Sequence, residues 1–171
     1  MRDAKRHLIT LAIYFSTRGA SFVLFEGTLS PYDWRIFEVR GPRKEAKCQR
    51  KMMQLLDQYE INGLVLQDTG PEGTRRASRL TALNAAVEAA AQQHGVRVFK
   101  YSRADVYTTF ASAGFSNKQT LAEVIANYIP AFERHVPPPR KPWKSEDGRM
   151  GLFDAAALAL VFFQKASTEQ L

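Results

Sequence analysis

The stretch LITLAIYFSTRGASFVLF, residues 8–25, decides the fold, because two apolar runs flank a short polar turn. The runs at 8–15 and 22–25 are rich in β-branched and aromatic residues, which favour strands, and Gly19 ends the turn between them. We therefore predict two strands, at residues 7–15 and 20–27, joined as a hairpin. The basic residues before the first run could suggest a signal peptide, but a turn follows that run where a cleavage site would be needed.

Beyond the hairpin, the pattern alternates between strands and helices. We predict a turn at residues 31–33, strands at 35–39, 64–67 and 96–101, and helices at 43–59, 74–93, 103–112, 117–129 and 152–165. The strand at 64–67 is almost wholly apolar, which is typical of a sheet interior covered on both faces. The order of these elements indicates an α/β domain with a mixed five-stranded sheet flanked by helices.

The composition fits one domain over residues 1–171, with an irregular basic segment at about 134–151. Lys and Arg number 24 against 17 Asp and Glu, and the net charge of +7 favours polyanionic partners such as nucleic acid. The single cysteine, Cys48, excludes an intramolecular disulfide and a cysteine-cluster metal site. No segment reaches transmembrane length by this reading, so we expect no membrane contact and a cytoplasmic location.

Four short segments are similar to the motifs of one enzyme family. They are LAIYFSTRGASF at 11–22, LVLQ at 64–67, YSRADV at 101–106 with GFSNK at 114–118, and FDAAALAL at 153–160. The first is similar to the motif G-I-D-P-G-x-R-x-T-G-[YF], and the last to a closing D-A-[LA]-A-[IL]-A helix. Together with the order of elements, they resemble the RuvC family of Holliday-junction resolvases over nearly the whole chain. The resemblance implies an RNase H-like, RuvC-type fold and acids that hold paired Mg²⁺ ions for cleavage of junction DNA.

Most of the acids that the resemblance implies are missing from this chain. The family's first aspartate falls on Tyr14, its glutamate on Gln67 and a third acid or histidine on Gly151, so that only Asp154 remains. Neutral side chains bind Mg²⁺ weakly, because that ion is held by hard anionic ligands. We therefore expect the nuclease chemistry to be lost and no cofactor to be bound. Asp154 is a catalytic remnant that would hold Mg²⁺ only in an active enzyme, or simply a helix N-terminal acid.

Other acids could restore a metal site. Asp68 follows Gln67, but alternation along a strand turns it to the opposite face unless the strand has already ended. Glu146 and Asp147 lie in the irregular segment and could swing towards the cleft, although nothing in the sequence fixes their positions.

Several cations and aromatic residues are candidates for contacts with nucleic acid. Lys118 begins a helix, where an ammonium beside exposed backbone N–H groups could hold a phosphate. The resemblance assigns Lys118 to a DNA contact, and a solvated lysine is the alternative. Tyr107 stands where the family often has a second basic residue and could stack on a base. The other candidates are Arg18 in the hairpin turn, and Arg75, Arg76 and Arg79 on the first turns of the helix at 74–93.

Two further features each allow two interpretations. The run RKPWK at 140–144 interleaves Trp143 with cations and could bind single strands, or it could be a linker with one anchoring tryptophan. The helix at 74–93 carries apolar residues on more than one stripe. It could pack against a second copy, as the resemblance to RuvC homodimers implies, or be buried between the sheet and a neighbouring helix.

Three functions remain open on the sequence alone. The leading hypothesis is a RuvC-like protein that binds structured or junction DNA and lacks an intact two-metal nuclease centre. The second is an active metal-dependent junction endonuclease that uses relocated acids drawn from Asp68, Glu146, Asp147 and Asp154. The third is a non-catalytic subunit whose cleft recognises another protein.

Overall fold

The computed structural model describes residues 8–69, 75–114 and 117–169, apart from the side chains of residues 75–77 and 169. In this part of the chain, one mixed sheet contains β1 (Ile9–Ser16), β2 (Gly19–Glu26), β3 (Pro31–Glu38), β4 (Gly63–Gln67) and β5 (Arg97–Tyr101). The strands lie in the order β3-β2-β1-β4-β5. The pairs β1–β2 and β2–β3 are antiparallel, whereas β4 is parallel to both β1 and β5. The predicted fold class is confirmed.

The β1–β2 hairpin forms where the two apolar runs predict it. Its register runs from Ile9 opposite Glu26 to Ser16 opposite Gly19. Glycine is required at position 19 because β3 passes close by, and a Cβ there would overlap the carbonyl oxygen of Phe37. The tight turn therefore depends on this close approach of a third strand as well as on its own sequence.

Helices cover both faces of the sheet. One face carries α1 (Lys44–Gln58) and α2 (Arg75–Gln93), and the other carries α3 (Arg103–Phe110), α4 (Lys118–Tyr128) and α5 (Met150–Glu169). Side chains alternate along β1, so Leu11 and Ile13 are buried with α1 and α2, while Ala12 and Tyr14 pack on the side of α5. This alternation places Tyr14 on the same face as the starts of α4 and α5.

The third strand begins four residues earlier than predicted. The turn expected at residues 31–33 is wrong, because Pro31 pairs with Phe25 and Asp33 with Leu24 across an irregular register. Pro31 has no N–H to donate, and an edge strand tolerates this at its first residue. A proline was therefore a poor sign of a turn at this position.

The irregular segment is shorter than the predicted range of 134–151. A 3₁₀ helix occupies Pro130–His135, and α5 already begins at Met150. Trp34 of β3 attaches this 3₁₀ helix to the sheet, because its Nε1 donates to Nε2 of His135 at 3.3 Å and its ring packs edge-on against Phe132. Both ends of the segment are thus fixed to the body of the fold.

The final helix corrects the expectation that no segment reaches transmembrane length. The range Met150–Thr168 is long and apolar enough to cross a membrane by length and composition alone, and 56% of that window is buried in the fold. Leu152, Phe153 and Ala156 are fully buried in the core on that face of the sheet. A central core helix meets the same criterion, so packing accounts for the apolar character of α5.

Candidate nucleic-acid-binding cleft

The carboxyl ends of β1 and β4 meet the starts of α4 and α5 at one cleft. Tyr14 lies near the end of β1, and Gln67 is the last residue of β4. Together with Lys118 and Asp154 they line a narrow cavity of about 70 Å³. The edge formed by the carboxyl ends of parallel strands is where open α/β sheets generally place ligands.

A wider cavity of about 350 Å³ continues from this point towards the β1–β2 turn. It shares Tyr14, Lys118 and Asp154 with the narrow cavity and adds residues from the hairpin, β3 and the segment before α5. The added residues include Arg18, Ser21, Glu38, Glu146, Asp147 and Gly151. Tyr14, Gln67, Gly151 and Asp154 thus share one continuous cleft.

Lys118 stands at the centre of this cleft and is already paired. Its helix begins with a capping box, in which Asn117 and Thr120 satisfy each other's backbone N–H groups. The Nζ atom lies 2.8 Å from Oε1 of Glu146 and 3.3 Å from Oδ2 of Asp154. Burial opposes the charged form of Lys118, but the neighbouring carboxylates outweigh it, so the pKa of the lysine is raised.

The aromatic ring of Tyr14 forms a third side of the lysine site. Lys118 Nζ lies 5.8 Å from the centre of the ring, which is within the range of a cation–π contact. The pKa of the Tyr14 hydroxyl is raised, first by burial and then by the charge of Asp154. The tyrosine is therefore neutral near pH 7 and its hydroxyl can donate a hydrogen bond.

Asp154 is the more buried of the two carboxylates that contact Lys118. Only 13% of its side chain is exposed, and burial raises its pKa from 3.8 to about 6. The charge of Lys118 opposes this rise, whereas Glu146 adds to it. At neutral pH the carboxylate is ionised because the ammonium compensates it.

The side chains of this cleft do not fit a pair of divalent metal ions. Among the described residues, no three side chains of Asp, Glu, His or Cys are grouped so that they could hold one ion. The two carboxylates that contact Lys118, Glu146 and Asp154, have its ammonium between them. Asp147 is held by Arg149, which donates to both of its carboxylate oxygens at 3.0 and 2.8 Å.

Gly151 lies against Ser21 of β2 in this cleft. A Cβ at this position would lie 2.5 Å from Oγ of Ser21, so an acid could not be accommodated unless Ser21 moved. Ser21 lies on β2 directly opposite Tyr14. Gly151, Ser21 and Tyr14 therefore lie together on this side of the cleft, and the glycine leaves room for the Ser21 hydroxyl.

The remaining predicted residues lie at different distances from this centre. The side chain of Asp68 is exposed and is not among the described residues that line either cavity, while its backbone N–H extends the β4–β5 ladder to Tyr101 at 2.8 Å. Tyr107 is 45% exposed and lines the narrow cavity. Arg18 donates from Nη2 to Oγ of Ser145 at 2.9 Å.

Arg79 of α2 does not lie in the cleft. Arg79 is exposed, lies 3.9 Å from Glu45 of α1 and lines a separate cavity on the other face of the sheet. The side chains of Arg75 and Arg76 lie outside the described residues, as do positions 70–74 before them.

Sequence reasoning missed Arg103, Ser21 and Glu38. Arg103 begins α3 immediately after β5, lines the narrow cavity and opposes the rise in the pKa of Asp154. Its position could have been inferred, because β4 and β5 are parallel neighbours whose carboxyl ends share one edge. Ser21 and Glu38 carry no such signal, since each looks like an ordinary strand residue.

Comparisons with solved structures identify the architecture. A structure of Thermus thermophilus RuvC in complex with a Holliday junction substrate is 17% identical, matches 95% of this chain and 96% of that chain, and superposes with a TM-score of 0.70. The chain has the RuvC fold. A second Thermus thermophilus RuvC structure gives a TM-score of 0.68 at 16% identity, over 95% and 97% of the two chains. Comparisons with protein-family models and with curated protein sequences gave no match.

Proposed function

We propose that this protein binds structured nucleic acid, in particular junction DNA, through the cleft around Lys118, and that it does not cleave DNA by a two-metal mechanism. The observation that carries the proposal is the position of the Lys118 ammonium between Glu146 and Asp154, at 2.8 and 3.3 Å. A side chain thus supplies the positive charge beside the surviving aspartate, where the resemblance to the nuclease family implies metal ions.

The binding half of the proposal is supported by fold and by charge. The RuvC fold is the architecture of a protein solved in complex with a Holliday junction substrate. This chain carries a net charge of +7, and the exposed cations Arg18 and Arg103 stand on either side of Lys118 along the cleft. Contacts to phosphates release counterions and dominate the affinity of such surfaces for DNA.

The centre of the cleft is not simply basic, and this shapes the proposed mechanism of binding. A DNA phosphate that approaches Lys118 must compete with Glu146, whose side chain is 45% exposed, whereas Asp154 is buried and stays in place. When a phosphate replaces the Glu146 carboxylate beside Lys118, the ammonium keeps a negatively charged partner. The neutral Tyr14 hydroxyl and the Gln67 amide can then donate hydrogen bonds to phosphate or base oxygens.

Equilibrium binding to a four-way junction and to a duplex of equal length tests the proposal. We expect the junction to bind more tightly, with a steep loss of affinity as the salt concentration rises. Lys118→Ala and Arg103→Ala should weaken binding, whereas Lys47→Ala, which removes the same charge from the exposed face of α1, should leave junction preference intact. Negligible binding of the wild-type protein to either DNA at low salt would rule the proposal out and favour a protein partner.

A nicking assay separates the proposal from an active endonuclease. We expect no cleavage of the junction with Mg²⁺ or Mn²⁺. Cleavage that disappears in Asp154→Asn would instead establish an enzyme with relocated acids, and Glu146→Gln and Asp147→Asn would then identify them. The clamp of Arg149 on Asp147 argues against that outcome, because it occupies both oxygens of a carboxylate that would otherwise be available.

A homodimer through α2 is a further part of the proposal. On this helix Ala82 is exposed and Ala86 and Ala90 are half-buried, so small side chains remain at the surface beside the buried Leu83 and Val87. Such residues allow close approach of a second helix. Light scattering coupled to size-exclusion chromatography would measure the mass, and Ala82→Glu should convert a dimer to a monomer if this helix forms the contact.

A further inference from the structure

Trp143 is the most exposed large apolar side chain in the described part of the chain, with 76% of its surface accessible. The residues around it are basic: Arg140, Lys141 and Lys144 are all exposed. Lys141 Nζ lies 5.6 Å from the centre of the indole ring, within cation–π distance. An exposed indole held among cations is unlike an isolated surface apolar residue, which needs no explanation.

The loop that carries Trp143 is fixed at both ends, to α4 before it and to residues of the cleft after it. Before it, the carbonyl oxygen of Pro137 accepts a hydrogen bond from Nε2 of Gln119, the second residue of α4, at 2.8 Å. After it, Ser145 accepts from Arg18 at 2.9 Å, and Glu146 pairs with Lys118 at 2.8 Å. The loop at 138–144 therefore projects from the rim of the cleft.

A local turn orients the tryptophan within this loop. The backbone N–H of Lys144 donates to the carbonyl oxygen of Lys141 at 3.0 Å, which closes a turn with Trp143 at its third position. Pro142 restricts the backbone directly before the indole. The side chain is thus presented by a constrained turn, which reduces the entropy cost when a partner orders it.

We propose that Trp143 stacks on an unpaired base of the bound nucleic acid, while Lys141 and Lys144 contact the flanking phosphates. This inference rests on the proposed function and names a second contact site within it. Aromatic side chains provide stacking platforms for exposed bases, and adjacent cations follow the backbone between them. An apolar groove on a protein partner is a poorer match, because it would have to bury three cations along with the indole.

Affinity measurements on matched substrates test the inference. The probes are a four-way junction with two unpaired thymidines at its branch point, the fully paired junction and a linear duplex. We expect Trp143→Ala to weaken binding of the first probe roughly 5- to 150-fold, the range for removal of one stacked base, and to change duplex binding little. Trp143→Phe should retain most of the affinity. The control Tyr128→Ala removes another exposed aromatic side chain, one that lines a cavity away from the cleft.

Salt dependence separates stacking from charge. We expect Trp143→Ala to lower affinity for the thymidine-bearing junction without changing the slope of log affinity against log salt concentration. The double variant Lys141→Ala/Lys144→Ala should lower that slope, by about 0.7 to 0.9 for each phosphate that is no longer neutralised. Indole fluorescence gives an independent readout. A stacked base should quench the emission of Trp143 in the wild type, and this quenching should be absent in Trp143→Phe.

The outcomes distinguish this inference from the function on which it rests. Wild-type affinity for the junction together with an unchanged affinity in Trp143→Ala would overturn the stacking role and leave the proposed function intact. Absence of any wild-type binding would overturn both. Equal weakening of all three probes in Trp143→Ala would show a structural role for the indole and would also overturn base stacking.

Discussion

At the scale of single residues, one lysine balances the charge of two carboxylates in the cleft. Lys118 contacts an exposed carboxylate on one side and a buried carboxylate on the other. Removing one partner of a buried ion pair is costly, since the other charge is then left uncompensated. The two carboxylates therefore differ in what their removal should do, and each gives a separate prediction.

Glu146→Gln should increase affinity for DNA. The change removes the anion that competes with phosphate for Lys118, and because the Glu146 side chain is 45% exposed the gain should be modest, roughly 1.5- to 5-fold. Glu133→Gln is the matched control, since it changes net charge equally at an exposed position outside the cleft. Equal gains in the two variants would mean that only net charge matters, and the competition between Glu146 and phosphate would be refuted.

Asp154→Asn should change how stability depends on pH. The folded protein raises the pKa of this carboxyl from 3.8 to about 6, so its stabilising contribution is fully present below pH 3.8 and is lost as the pH rises through 6. Relative to the Asn variant, the wild type should therefore lose up to about 3 kcal/mol between these limits, a loss that already includes the opposing charge of Lys118. Urea denaturation of both proteins at several pH values measures the difference. A difference that is constant with pH would contradict the raised pKa.

At the scale of helices and strands, two helix ends are tied together by a titrating side chain. His94 follows the last residue of α2, where its ring contacts the carbonyl oxygen of Ala90 and the carboxylate of Asp57 in α1, both at 2.8 Å. The hydrogen bond with Ala90 and then the one with Asp57 raise the pKa of His94 above 6.5. This arrangement favours the imidazolium in the folded state.

His94→Gln should therefore cost stability at low pH and not at high pH. The contribution of a group whose pKa is raised on folding is fully present below its ordinary value of 6.5 and is lost as the pH rises through the folded value. The difference in denaturation midpoint between wild type and variant should therefore shrink as the pH rises. Asp57→Asn should show the same trend, because it removes the partner of His94. A difference that grows with rising pH would contradict the assignment.

Some of these elements can be predicted from local sequence patterns, and others depend on tertiary contacts. Strands β1, β2, β4 and β5 follow from local apolar patterns, and the structure places them within one or two residues of the predictions. The start of β3 at Pro31 does not follow, because it depends on pairing with β2. The start of α5 at Met150 lies two residues before the predicted one, because Gly151 weakens the local helix signal and tertiary packing stabilises the first turn.

The residues of the candidate site also differ in whether the sequence alone predicts their positions. The positions of Tyr14, Gln67 and Asp154 could be assigned from motifs, because each motif lies on a regular element whose register fixes the side chain. The pairing of Lys118 with Glu146 could not, since the glutamate lies in a segment with no periodic pattern, 28 positions further along the chain. Contacts between an irregular segment and a helix start depend on the folded path of the backbone, which local propensity does not specify.

At the scale of the whole molecule, thermal stability reports whether the cleft takes up divalent cations. A ligand that binds only the folded state stabilises it, by about 2.7 kcal/mol at 100 times its Kd. The ammonium of Lys118 already lies between Glu146 and Asp154, and a divalent ion there would meet direct repulsion. We therefore expect millimolar Mn²⁺ to leave the melting temperature of the wild type unchanged at constant ionic strength.

Removal of the lysine should reverse this response. Lys118→Ala leaves two carboxylates facing the space that the ammonium fills in the wild type, beside the Gln67 amide, and oxygen ligands of this kind suit Mn²⁺. The variant should melt below the wild type without metal, because Asp154 loses its compensating charge, and Mn²⁺ should recover part of the loss. The double variant Lys118→Ala/Asp154→Asn should lose less melting temperature than Lys118→Ala and should recover none of it with Mn²⁺. A rise in the melting temperature of the wild type with Mn²⁺ would contradict this account. The cleft would then be a metal site from which the bound ion displaces the Lys118 ammonium.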